Sequence, residues 1–146
     1  MITETKNRIV RTINLIDDVF DDNQTRNYTL AIQIGLDGLN AAVLDDVLGR
    51  IIALEKFTIQ SVLQFNILSR FVDQIIQQSS ILAFPYKKIH IALVSPKSTL
   101  VPDALFVSEK ASDLLSFNHK LEEDEIVMTD NLMNLSSKNI FVIPKS

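Results

Sequence analysis

Asp37 lies between two of the chain's three glycines, in Gly35-Leu36-Asp37-Gly38. A carboxylate beside glycine can orient metal-bound water while neighbouring backbone amides approach a phosphate. The same four residues are a strong hairpin signal, because Asp-Gly suits a tight turn and glycine accepts positive φ. Two acidic runs raise a cation question. Asp17, Asp18, Asp21 and Asp22 lack the spaced oxygen ligands and central glycine of a helix-loop-helix calcium site. Glu122, Glu123, Asp124 and Glu125 follow His119, which sets one imidazole beside four acids. Both runs read as solvated turns. His90 stands in an apolar run and reads as a buried imidazole bonded to backbone. His119, with Ser98 and Thr99 upstream, suggests a serine–histidine pair, yet no nucleophile elbow or second acid accompanies it.

Composition narrows the chemistry further. The 146 residues include no cysteine, which excludes disulfides, thiolate metal sites and cysteine nucleophiles. Fourteen lysines and arginines against eighteen acids leave a net charge of −4, the opposite of a nucleic-acid footprint. No apolar run approaches the ~20 residues of a membrane span. The polar start Met1-Ile2-Thr3-Glu4-Thr5-Lys6 is unlike a signal peptide. A cytoplasmic protein without nucleic-acid or membrane partners is expected. Hydrophobic residues make up 47% of the chain, enough for a layered core.

The elements that must position these residues follow from periodicity. Tyr28–Ile34 alternates, with Leu30, Ile32 and Ile34 on one face, and predicts a strand. Leu39–Leu44 and Arg50–Ile59 read as two more, joined by the turns at Asp37-Gly38 and Asp45–Gly49. Short glycine turns imply an antiparallel meander. From Gln60 to Ser79 the period lengthens: Val62, Leu63, Phe65, Leu68, Phe71, Val72, Ile75 and Ile76 mark an amphipathic helix with a wide apolar stripe. Asp73 is its lone acid. Lys88–Val94 is nearly all apolar and reads as a strand buried on both faces, as a central or parallel strand would be. Ser98–Val101 is a short strand ended by Pro102. Ser108 caps a helix running to about Phe117, with Ala111, Leu114 and Leu115 inward. Leu121–Asp130 is a loop leading into a short strand, and Ile140–Ile143 is a strand. Residues 1–24 fit neither period and are taken as an amino-terminal extension, with residues 25–146 as a single lobe.

Three antiparallel strands, then helix, strand, helix and strand, predict an α/β fold with a mixed sheet. That is the order of the ribonuclease H-like core, which actin-like ATPases use in each lobe. Five stretches also resemble the uncharacterised bacterial proteins known as domain of unknown function family 3822. They are Leu15–Asp21, Tyr28–Asp45, Pro96–Pro102, Ser116–His119 and Ile140–Pro144. The resemblance implies an actin-like or ribonuclease H-like fold and no particular activity. Family members look roughly twice as long, so the chain resembles an amino-terminal lobe.

Actin-like ATPases and sugar kinases place an aspartate near the end of the first strand, followed closely by glycine. Here Gln33 stands at that place in Ile32-Gln33-Ile34-Gly35. An amide neither acts as a base nor balances a magnesium ion as a carboxylate does. Ribonuclease H-like nucleases hold two metals with acids from the first strand, the first helix and the fourth strand. The first and fourth strands here offer none. The sequence therefore predicts a degenerate, non-catalytic actin-like module without cofactor or metal, acting through a protein partner or as a homodimer. The alternative is a nucleotide-binding, ATPase-like protein whose phosphates contact Gln33, Gly35, Asp37 and Gly38.

Overall fold

A computed structural model describes residues 9–60 and 67–145. These fall into two compact units, one of residues 9–60 and 68–94, the other of residues 95–145 with Ile67. The division comes at Ser95-Pro96, where proline lacks the N–H that would continue a ladder. No described helix is long and apolar enough to cross a membrane.

The first unit is a five-stranded mixed sheet. Strands β1 (Ile9–Ile16), β2 (Tyr28–Gly35), β3 (Gly38–Asp45), β4 (Arg50–Ile59) and β5 (Lys88–Leu93) lie in the order β1-β4-β3-β2-β5. The β2-β3-β4 meander is antiparallel, and β5 runs parallel to β2. A parallel neighbour requires a crossover, and helix α1 (Leu68–Gln78) lies within it. The helix buries Leu68, Phe71 and Ile75 at steps of three and four residues. Ile76 is exposed, so the described part of the stripe is narrower than the sequence implies. Val62, Leu63 and Phe65 lie outside the described residues.

Alternation fills the core from one face of this sheet. Leu30, Leu39, Val43 and Phe57 are buried there with Ile52, Ile75 and Ile81. Phe20 leans on Tyr28 and Phe84, with ring centroids 5.7 and 6.0 Å apart.

Within the expected amino-terminal extension, Ile9–Ile16 pairs antiparallel with β4 and forms an edge of the sheet. A register shift between Arg11 and Ile13 breaks its alternation, which is why neither period fits this stretch. Contrary to expectation, β5 is not buried on both faces. It is the opposite edge strand, with Ile89 54% and Ile91 64% exposed. An apolar run records the residues' affinity for burial, while the neighbours decide whether burial occurs.

The second unit is a three-stranded antiparallel sheet, β6 (Ser98–Pro102), β7 (Glu125–Leu132) and β8 (Ser137–Pro144), ordered β6-β8-β7. The final strand thus belongs to a separate sheet rather than to the mixed one. Pro102 is tolerated inside β6 because β6 is an edge. A 3-10 turn at Ser108–Lys110 leads into helix α2 (Ala111–Ser116), which makes no side-chain N-cap bond. The expected Ser108-capped helix is therefore split in two. Leu115 packs with Val101, Ile140 and Val142 to form this unit's core.

Candidate functional site

The turn carrying Asp37 joins β2 to β3 with Gly35 paired to Gly38. Its geometry accounts for both glycines. Gly38 has φ 143°, and a Cβ there would sit 1.9 Å from the Phe57 carbonyl oxygen. A Cβ on Gly35 would meet Asp37 Oδ1 at 3.0 Å. The Ile59 amide donates to the Asp37 carbonyl at 2.9 Å, tying the turn to the end of β4. Gly38 is thus required by the close approach of β4, and the Asp37 carboxylate remains exposed. Gln33 projects from the uncovered face of β2, where Asn40 Nδ2 donates to its Oε1 at 3.4 Å. The four sequence-predicted residues do lie together, but the turn holds a single carboxylate.

The remaining candidates separate. Asp17 Oδ1 accepts the Val19 amide at 3.0 Å, and its Oδ2 lies 3.7 Å from Arg50. Asp21 caps a 3-10 turn, Asp22–Asn27, by accepting the Asn23 amide at 2.9 Å. Among the described residues, no group of three or more potential ligands converges on a cation position. His90 is exposed and lines a concavity, which corrects its assignment to the interior. Its neighbours on β5 are exposed because β5 is an edge. His119 Nε2 lies 3.1 Å from the Ser98 carbonyl, so the ring meets backbone and not the Ser98 hydroxyl. Asn118 donates to Thr99 Oγ1 at 3.4 Å. No serine–histidine dyad forms among these residues.

The acidic run at Glu122–Glu125 is not uniformly solvated. Lys97 Nζ donates to both oxygens of Glu125, at 2.8 and 3.0 Å, and to the Lys120 carbonyl. The Glu122 amide adds a bond to Glu125 Oε2 at 3.1 Å. Partial burial pushes the Glu125 carboxyl up, but the Lys97 and Glu122 bonds and the Lys97 charge hold it below its ordinary range.

Sequence reading passed over Glu55. It lies among the inward positions Ala53, Glu55, Phe57 and Ile59 of β4 and is fully buried. Its Oε2 accepts the Ser79 hydroxyl, and its Oε1 accepts the Ser80 amide at 3.0 Å with Arg11 3.7 Å away. An acid in phase with apolar inward residues was the available signal. Both carboxylate oxygens are engaged, and Ser79 and Ser80 lie at the exit of α1, so the arrangement stabilises a turn. Nearby, Tyr86 donates to the Ile81 carbonyl, and burial together with the Glu55 charge raises its phenol well above the usual range.

A three-stranded antiparallel meander, a crossover helix and a parallel strand define an actin-like module. Consistent with this, the chain superposes on a solved protein of Bacteroides thetaiotaomicron with an actin-like ATPase fold and unknown function. The TM-score is 0.78 at 28% identity. The match covers 87% of this chain and 48% of that one, so this chain spans about half of that relative's length. The chain belongs to the family described as protein of unknown function (DUF3822), matched over residues 17–146. Comparison with curated proteins found no match.

Proposed function

We propose that this chain is a degenerate actin-like module that acts by protein–protein contact and not by nucleotide hydrolysis. The observation that carries the reading is Gln33: an amide stands near the end of β2, the first strand of the meander, where an acid is expected, and Asn40 engages its oxygen. An acid there would balance magnesium and orient water, and glutamine does neither. A cytoplasmic location belongs to the same proposal. So does a homodimer, for which the free edge of β5, with Ile89 and Ile91 exposed, is the natural contact. Light scattering at micromolar concentration tests the dimer, and a mass that stays monomeric at all concentrations removes it.

The nucleotide-binding alternative has its own support in the exposed Asp37 carboxylate beside Gly35. Thermal denaturation with ATP and magnesium separates the two readings. A ligand at 100 times its Kd adds about 2.7 kcal/mol of stability. The module reading expects no shift in melting temperature and no phosphate release. A clear shift would overturn it.

A further inference from the structure

The core lies on one face of the five-stranded sheet, and strand register sets out the other. Lys88, Thr29, Leu44 and Ile51 form one row across β5, β2, β3 and β4. His90, Ala31, Ala42 and Leu54 form the next, which Leu15 extends onto β1. Two alanines side by side leave a trough of about 580 Å³ between larger neighbours. Its ends differ. At β5 stand Lys88 and His90, and among the described residues Lys88 makes no ion pair. At the far end Ile51 is 61% exposed, and outside the trough Leu15 on β1 is 64% exposed. The one carboxylate in the trough, Asp46, is already held by Lys87 at 3.2 Å and by the Thr29 hydroxyl.

A sheet face meant for water carries polar residues at alternate positions. Around the trough this face carries leucine, isoleucine and alanine, with Lys88 and His90 at the β5 end, while the neighbouring row of Gln33, Asn40 and Lys56 is polar. We propose that it docks an amphipathic helix of a partner protein, with the apolar stripe over Ala31, Ala42, Leu54 and Ile51 and acidic residues toward Lys88 and His90. The alanines let a helix backbone come close, and the carboxylates supply the charge that the trough lacks. A small anionic amphiphile would fill the trough yet leave Leu15 wet. A second copy presenting the same face would bring no free acid to Lys88. This inference rests on the protein-contact reading and specifies its surface.

The test uses a synthetic peptide of about 18 residues, some five helical turns, with a leucine stripe flanked by glutamates on one side. A counterpart carries lysines in their place, and binding to the whole chain is followed by fluorescence anisotropy. The acidic peptide is expected to bind. Combining Lys88→Glu with His90→Glu should weaken it at least roughly tenfold, since like charges then face each other. The lysine peptide should regain affinity for that variant. Because both residues are exposed, unchanged circular dichroism is expected and keeps the comparison valid. Binding that ignores the charge swap, or no binding at all, overturns the assignment. So does a response to dodecanoate without one to peptide, or a dimer that Ala42→Glu disperses. If ATP with magnesium also fails to bind, only this surface falls; a nucleotide shift would remove the protein-contact reading itself.

Discussion

The Ser79 hydroxyl donates to the buried carboxylate of Glu55 while its oxygen accepts the Ile81 and Leu82 amides, at 3.1 and 3.0 Å. One serine thus links the middle of β4 to the turn that ends α1. The link has an energetic consequence, since an unpaired buried acceptor costs about 1–3 kcal/mol. Ser79→Ala and Glu55→Ala should each lower stability by about 2–3 kcal/mol on this scale. The two changes should be coupled, with an interaction energy above about 0.5 kcal/mol in a double-mutant cycle followed by urea denaturation. Strict additivity would show that the pair does not act as a unit.

Gly38 and Gly49 both have positive φ, at 143° and 65°, but only Gly38 faces backbone at close range. Gly49→Ala should cost about 1–2 kcal/mol, the left-handed penalty for a residue with a Cβ. Gly38→Ala must in addition displace the Phe57 carbonyl, 1.9 Å from the new Cβ. It should destabilise by clearly more or prevent folding. Urea midpoints for the two variants compare them directly, and equal losses would contradict the close approach.

Glu125 has its carboxyl lowered in the folded state by Lys97 and the Glu122 amide, which outweigh partial burial. Its stabilising contribution is present above the unfolded glutamate pKa. It is lost as pH falls through the lower folded value. Stability should therefore decline on the acid side of about pH 4.3, the ordinary glutamate value. Lys97→Met should move the Glu125 titration upward and remove its part of that decline. Carboxyl NMR titration of the two proteins gives the measurement, and an unmoved titration would refute the pairing.

Asp37 is the discriminating residue for nucleotide. Under the module reading, Asp37→Ala leaves the response to ATP with magnesium flat, as in the unsubstituted protein. A thermal shift in the parent chain that Asp37→Ala abolishes would instead assign phosphate contact to the hairpin turn.

What the sequence determined by itself was local. Alternation over Tyr28–Ile34, the glycine turns after β2 and β3, and the three- and four-residue spacing of Leu68, Phe71 and Ile75 all lie within a few residues of one another. Backbone geometry alone converts such patterns into strands, turns and a helix. The place of Gln33 near the end of β2 was equally legible, because it depends only on strand position. Tertiary structure decided what depends on neighbours distant in sequence. It made β5 an edge, which exposes His90 and Ile91 despite an apolar run. It joined Ile9–Ile16 to β4 across a register shift that hides the period. It also brought Ser79 to Glu55, and Lys97 to Glu125, over 24 and 28 intervening steps of chain. Burial and charge pairing belong to contacts between segments, and no window along one segment contains them.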